Sequence, residues 1–159
     1  MKKQIFTGMC LGAALFANGQ IIEINGNFAD KAKGWQALSK NSILTSYPDG
    51  CMELKKPESA SYADVGYSKV FVVNADETAT ITIIAKGNGL LKAGFRIEGV
   101  GNYIQSALLK EEFSTYTFTL DLKKYAKQLP AKATVKIILS HGNRLIIKSI
   151  TLKLQKNTR

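Results

Sequence analysis

The feature that most constrains this chain is a long succession of short segments in which apolar and small polar residues alternate, with almost nothing of helical period between them. Residues 68–73 are rich in β-branched and aromatic side chains, 78–85 alternate Thr with Ile, and 115–122 alternate Thr with Tyr, Phe and Leu. A period of two sends every second side chain to one side of an extended backbone, so each segment is a strand with one face to bury. Segments 135–139 and 145–154 complete the series, and the link Ser140-His141-Gly142-Asn143 has the composition of a hairpin turn. Residues 92–98 and 103–109 form a further predicted hairpin across Gly99-Val100-Gly101-Asn102. Only 122–129 reads as helix, one or two turns ahead of Pro130. A sheet with one apolar face must cover it with another, so the predicted fold class is all-β, an antiparallel β-sandwich.

Ahead of the strands, residues 1–19 have the three parts of a signal peptide: Lys2 and Lys3, an apolar run over 5–16, and a small-residue exit at Ala17-Asn18-Gly19. The apolar run is shorter than a bilayer-spanning helix requires, and no later segment is apolar enough to anchor the chain. The expectation is an exported protein, secreted or periplasmic, with a cleaved segment 1–19, one domain over 20–154 and a polar tail at 155–159. Cys10 lies inside the apolar run, which leaves Cys51 alone in the processed chain and excludes an intramolecular disulfide. Cys51 reads as a small buried hydrophobe, with intermolecular pairing as the alternative. A lipid-bearing Cys10 is the alternative to cleavage at Gly19, although Thr7-Gly8-Met9 matches such a site poorly.

The formal net charge is +10, of which Lys2 and Lys3 contribute two. The remaining lysines come singly or in pairs (Lys31, Lys33, Lys55, Lys56, Lys123, Lys124, Lys127) and never form the dense basic block of a nucleic-acid binder. Diffuse charge of this kind suits a solvated surface or attraction to an acidic polysaccharide or anionic envelope.

The opening of the processed chain is the most specific motif. Asn25-Gly26-Asn27-Phe28 supplies a tight polar turn, and Gly34-Trp35 follows, so two large aromatics flank one short loop. With Asp49-Gly50 before a strand, a strand, turn and strand over 70–87 ending in Lys86-Gly87, and the closing pattern Leu145-Ile146-Ile147-Lys148-Ser149-Ile150-Thr151-Leu152, the sequence resembles the galactose-binding-like jelly rolls. The likeness is greatest to carbohydrate-binding modules attached to xylanases and glucanases. That resemblance implies a jelly roll and sugar binding. It also implies a structural calcium, but two positions where the family carries acids hold Ala29 and Lys148 here, so the calcium is expected to be absent. Asp30, Asp49 and Glu53 are the carboxylates from which a displaced site would have to be built. Where many such modules carry a sugar-stacking Trp, this chain has Ile84.

A stacking platform must then come from another strand. Pairing Glu98 with Tyr103 across the 92–109 hairpin puts Arg96 opposite Gln105 and turns Arg96, Glu98, Tyr103 and Gln105 to one face, a ring beside three polar groups suited to sugar hydroxyls. Tyr62 and Tyr67 flank Asp64 and Gly66 in a predicted loop that reaches toward a ligand, and Tyr47 belongs to the same less regular half; Trp35 reads as core. The acids are scattered, His141 is the single imidazole, and no phosphate loop or metal spacing is present, so no catalytic constellation emerges. The sequence therefore points to a non-catalytic carbohydrate binder, with a structural or adhesion-type sandwich contacting an envelope protein as the alternative.

Overall fold

The computed structural model describes residues 20–157, so the expected signal segment 1–19 lies outside the described residues. Twelve strands follow in order: β1 (Gln20–Ile22), β2 (Trp35–Ala37), β3 (Ile43–Ser46), β4 (Met52–Lys55), β5 (Tyr62–Tyr67), β6 (Phe71–Val73), β7 (Glu77–Gly87), β8 (Leu90–Ile97), β9 (Gly101–Leu108), β10 (Ser114–Asp121), β11 (Ala131–Ser140) and β12 (Arg144–Lys156). The segment read as helix contributes one 3-10 turn, Leu122–Tyr125, capped by the Asp121 carboxylate.

The strands form two six-stranded sheets whose pairings are all antiparallel. Sheet A runs β10-β7-β12-β4-β3, with β1 beside the far half of β12; sheet B runs β2-β5-β11-β8-β9, with β6 beside the first residues of β11. The chain passes repeatedly from one sheet to the other, and among the described residues only β3–β4 and β8–β9 are hairpins between consecutive strands. Ser140-His141-Gly142-Asn143 is thus not the hairpin turn its composition suggested. It carries the chain from β11 in sheet B to β12 in sheet A. Turn chemistry sets where a strand stops, whereas partner choice is set by which face each strand must bury.

The inward positions follow the period of two. Ala79, Ile81, Ile83 and Ala85 from β7 and Tyr116, Phe118 and Leu120 from β10 meet Leu91, Ala93, Phe95 and Ile97 from β8 and Val135, Ile137 and Leu139 from β11. In β12 the alternation slips, with Leu145 and Ile147 inward and then Ile150, Leu152 and Leu154. A bulge between Ile147 and Ser149 inserts the extra residue, Lys148, and returns the apolar side chains to the core. β12 then runs on through Gln155 and Lys156, which pair with Thr78 and Glu77, past the expected end of the domain at 154.

The opening motif is buried architecture. The Asn25 side chain donates to the Lys31 and Lys33 carbonyls at 2.9 and 3.1 Å, the Trp35 indole donates to the Asn25 carbonyl at 3.0 Å, and the Asn25 amide donates to the Tyr67 hydroxyl at 2.9 Å. Phe28 and Trp35 are buried with ring centroids 6.3 Å apart, and Trp35 packs on Tyr67 at 5.0 Å. Trp35 is core, as expected. Tyr67→Phe removes the acceptor for the Asn25 amide while keeping the ring, and is expected to cost about 1 kcal/mol in urea unfolding with an unchanged denaturant slope. A loss below about 0.3 kcal/mol would show that water takes over that amide.

Candidate ligand-binding site

The outer face of sheet B holds the groove. Because Leu91, Ala93, Phe95 and Ile97 point inward, Lys92, Gly94 and Arg96 point out from β8; on β11 the outward set is Thr134, Lys136 and Ile138. Register places Thr134 opposite Arg96 and Lys136 between Gly94 on one side and Gly66 on the other, with Gln36 next beyond Gly66. Two glycines thus flank Lys136 on this face. Gly94 is required by contact: a Cβ there would lie 2.0 Å from the Tyr103 carbonyl oxygen on β9.

Toward one end this face is closed. Lys136 pairs with Asp64 at 3.1 Å, their side chains 15 % and 6 % exposed, and Ser42 from the loop after β2 donates to that carboxylate and accepts from the Asp64 amide. The Leu38 side chain sits over Gly66. Beyond that cover a recess of about 170 Å³, walled by Gln36, Leu38, Tyr67 and Lys136, adjoins a larger one of about 640 Å³ walled by Val70, Glu98, Val100 and Lys132. Both share Arg96 and Thr134, where they meet. Arg96 is exposed and enters no ion pair among the described residues.

This geometry divides the residues that the sequence brought together. Arg96 and Glu98 line the groove, and Tyr67 forms part of its wall while its hydroxyl is committed to Asn25. The expected loop over Tyr62–Tyr67 is strand β5, because Ala63 and Val65 alternate into the core; Tyr62 is exposed on that sheet but pairs with Ser140 at the far end, six residues along β8 from Arg96 and roughly 20 Å away. Tyr103 and Gln105 leave the face altogether. The observed pairs are Phe95 with Tyr103 and Ala93 with Gln105, because the turn occupies Glu98-Gly99-Val100 and β9 already begins at Gly101. The register therefore differs from the expected one by three residues, and an odd offset exchanges the two faces of a strand.

Tyr103 instead packs against Tyr125 of the 3-10 turn, ring centroids 5.0 Å apart at 70°, with the Lys124 amine 5.8 Å from its ring. Burial, then the neighbouring Tyr125, push its phenol pKa up against the lowering effect of a hydrogen bond at the Asp121 backbone. Gln105 donates to the Thr119 carbonyl at 2.7 Å and ties β9 to β10 across the open side of the sandwich. Thr134, Lys136 and Gln36 are the groove residues that sequence reasoning passed over. The outward placement of Thr134 and Lys136 was legible in the alternation of β11, but the neighbours of β11, and with them Gln36 on β2, were not.

The three carboxylates considered for a displaced calcium site are each engaged locally. Asp30 pairs with Lys33, Asp49 accepts from the Cys51 amide, and Glu53 is held by Arg144, Lys55 and Tyr47. Among the described residues no group of three or more His, Cys, Asp or Glu is placed to hold a metal ion. No described helix is long and apolar enough to cross a membrane.

No protein-family model matches this sequence, and no curated protein resembles it closely enough to count as a relative. Solved structures do. A tyrosine-to-alanine variant of a family 29 carbohydrate-binding module superposes with a TM-score of 0.61 at 14 % identity, covering 86 % of this chain and 93 % of the module. An aspartate-to-alanine variant of the same module, complexed with mannohexaose, gives 0.56 at 14 % identity over 88 % and 93 %. The enzymatically active domain of tailspike protein 4 from bacteriophage CBA120 gives 0.62 at 14 % identity, with 83 % of this chain lying on 21 % of that one. At such identity the likeness establishes the fold: a jelly-roll sandwich of the kind carbohydrate-binding modules use, as the opening motif led one to expect.

Proposed function

We propose that this protein is an exported, non-catalytic carbohydrate-binding module that holds an oligo- or polysaccharide in the groove on the outer face of sheet B. The observation that carries the reading is the junction at Arg96 and Thr134, paired across β8 and β11, which both adjoining recesses share. Arg96 brings up to five donors and Glu98 acceptors to the groove, Gln36 and Thr134 bring both, and these are the groups that sugar hydroxyls require. Val70 and Leu38 offer apolar contact for the C–H faces of a ring in place of a stacking Trp. The solved modules of the same fold add support, one of them complexed with mannohexaose. Glu98 is the single carboxylate among the described groove-lining residues, whereas glycoside hydrolysis ordinarily uses two, which supports binding without turnover.

The test is calorimetric titration and affinity electrophoresis with neutral gluco- and manno-oligosaccharides. Arg96→Ala, whose side chain is exposed and unpaired, is expected to weaken binding about tenfold while leaving the thermal midpoint in place. Failure of the unaltered protein to bind any neutral or acidic glycan, or an unchanged affinity in Arg96→Ala, would overturn the proposal.

A further inference from the structure

A second recess lies on the other sheet, at the corner where the β7–β8, β9–β10 and β11–β12 connections converge. Its volume is about 270 Å³, just under the roughly 300 Å³ at which pockets begin to take drug-sized molecules, so it suits one ring-sized group. Lys86, Asn88, Asn143, Arg144 and Glu111 line it, above Ile146.

Arg144 is held in place from behind. On the outer side of sheet A, β4 and β12 pair Glu53 with Ile146 and Lys55 with Arg144, and the Glu53 carboxylate, 1 % exposed, accepts from the Arg144 Nε. The same carboxylate takes Lys55 at 3.0 Å and the Tyr47 hydroxyl at 2.5 Å. One buried negative charge thus faces two cations, leaving the cluster with an excess of positive charge. The Arg144 side chain remains 53 % exposed along the recess. Its position is fixed from the backbone side too, since the Asn88 side-chain oxygen accepts from the Asn143 and Arg144 amides. Lys86 enters no ion pair among the described residues; its amine lies 4.6 Å from the centroid of Phe113, a ring that stays 41 % exposed. Glu111 is the one carboxylate lining the recess among the described residues, and it opposes an anion there.

We infer that this recess binds a carboxylate carried on a sugar ring, that is, a uronic acid unit of an acidic polysaccharide. A guanidinium anchored through one edge presents its remaining N–H groups in the planar fork that matches a carboxylate, and a second cation alongside adds charge without competing for the same geometry. Ile146, which lines the recess, gives the sugar ring an apolar surface. The site is separate from the groove on sheet B and stands or falls independently of it.

The probe is an oligogalacturonate trimer titrated calorimetrically against the purified protein at about 0.15 M salt, where diffuse attraction is screened beyond about 8 Å. The matched neutral galactose trimer and inorganic phosphate serve as comparisons. The uronate should bind at least tenfold more tightly than either. Arg144→Gln should weaken it about tenfold and Lys86→Met severalfold, while Glu111→Gln should tighten it two- to threefold by removing the opposing charge. Lys127→Gln, which removes one positive charge outside the recess, should leave the affinity unchanged. Should Arg144→Gln fold poorly, the opposite signs of Lys86→Met and Glu111→Gln carry the test. Binding of the neutral trimer or of phosphate that Arg144→Gln weakens as much as it weakens the uronate would overturn the inference, whereas neutral binding that Arg96→Ala removes belongs to the groove on sheet B. Equal weakening by Lys127→Gln and Lys86→Met would overturn it too, as the mark of diffuse attraction.

Discussion

Gly26→Ala is expected to lower the thermal unfolding midpoint by about 10 °C or more, equivalent to a loss of about 3 kcal/mol in a domain of this size. The cause is contact and not backbone conformation, because Gly26 is absent from the positive-φ positions. A Cβ at this position would fall 1.8 Å from the Ile150 carbonyl oxygen and 2.8 Å from its carbon, well inside any tolerable separation. Both partners are backbone, so no side chain can rotate away. The same approach makes the bond from the Ile150 amide to the Gly26 carbonyl, at 2.7 Å, which joins the opening loop to β12. Alanine must push the loop off that strand. The loss then spreads to Phe28 and Trp35, whose burial depends on the loop lying where it does. A midpoint within 2 °C of the parent protein would show that the opening loop is not held against β12 in solution.

Glu53→Gln is expected to cost about 2 kcal/mol at neutral pH, and that cost should vanish on acidification. Removing one member of a buried ion pair commonly costs about 3–5 kcal/mol, but Arg144 and Lys55 are about half exposed and recover part of their hydration, so the lower figure applies. The sign of the pH dependence follows from the carboxyl's surroundings. Burial by itself raises its pKa, but the hydrogen bonds from Tyr47, Arg144 and Lys55 outweigh burial and hold it below the ordinary carboxylate value. The same bond from Tyr47 raises the pKa of that phenol. A carboxyl with a depressed folded pKa gives its full stabilisation above the unfolded value, about 4.3, and loses it as pH falls through the folded value. Urea unfolding of the two proteins should therefore differ by a constant amount from pH 7 to about 5, and the curves should converge below about pH 4. A difference that widens on acidification would show that Glu53 is protonated in the fold.

Much of the fold is written in residue alternation. The Thr-Ile and Thr-aromatic periods of 78–85 and 115–122 become β7 and β10, which pair along their length, Thr117 opposite Thr82 and Phe118 opposite Ile81. The opening motif was also legible, because Asn-Gly turns and paired aromatics have local causes. The binding face was legible only in pieces. Arg96 and Glu98 do face outward together, but Tyr103 and Gln105 were lost to a turn one residue shorter than expected between strands, which no local propensity distinguishes. Glu53, Arg144 and Lys86 escaped because their meeting requires β7, β12 and β4 to be neighbours, and Ser140 to Asn143 reads equally well as a hairpin or as a passage between sheets.

The sequence by itself determined that this chain makes strands, that those strands need two sheets, and that residues 25–35 knot the opening of the sandwich. Each of these rests on side chains a few positions apart, and such short-range periodicity survives in the linear order. Only the tertiary structure decided which strands lie side by side and in what register, and hence that Arg96 shares a groove with Thr134 while Arg144 is pinned by Glu53. Those choices are made by the burial of whole faces, a property of the assembled sheets, where moving one strand by an odd number of residues turns every side chain on it to the other side.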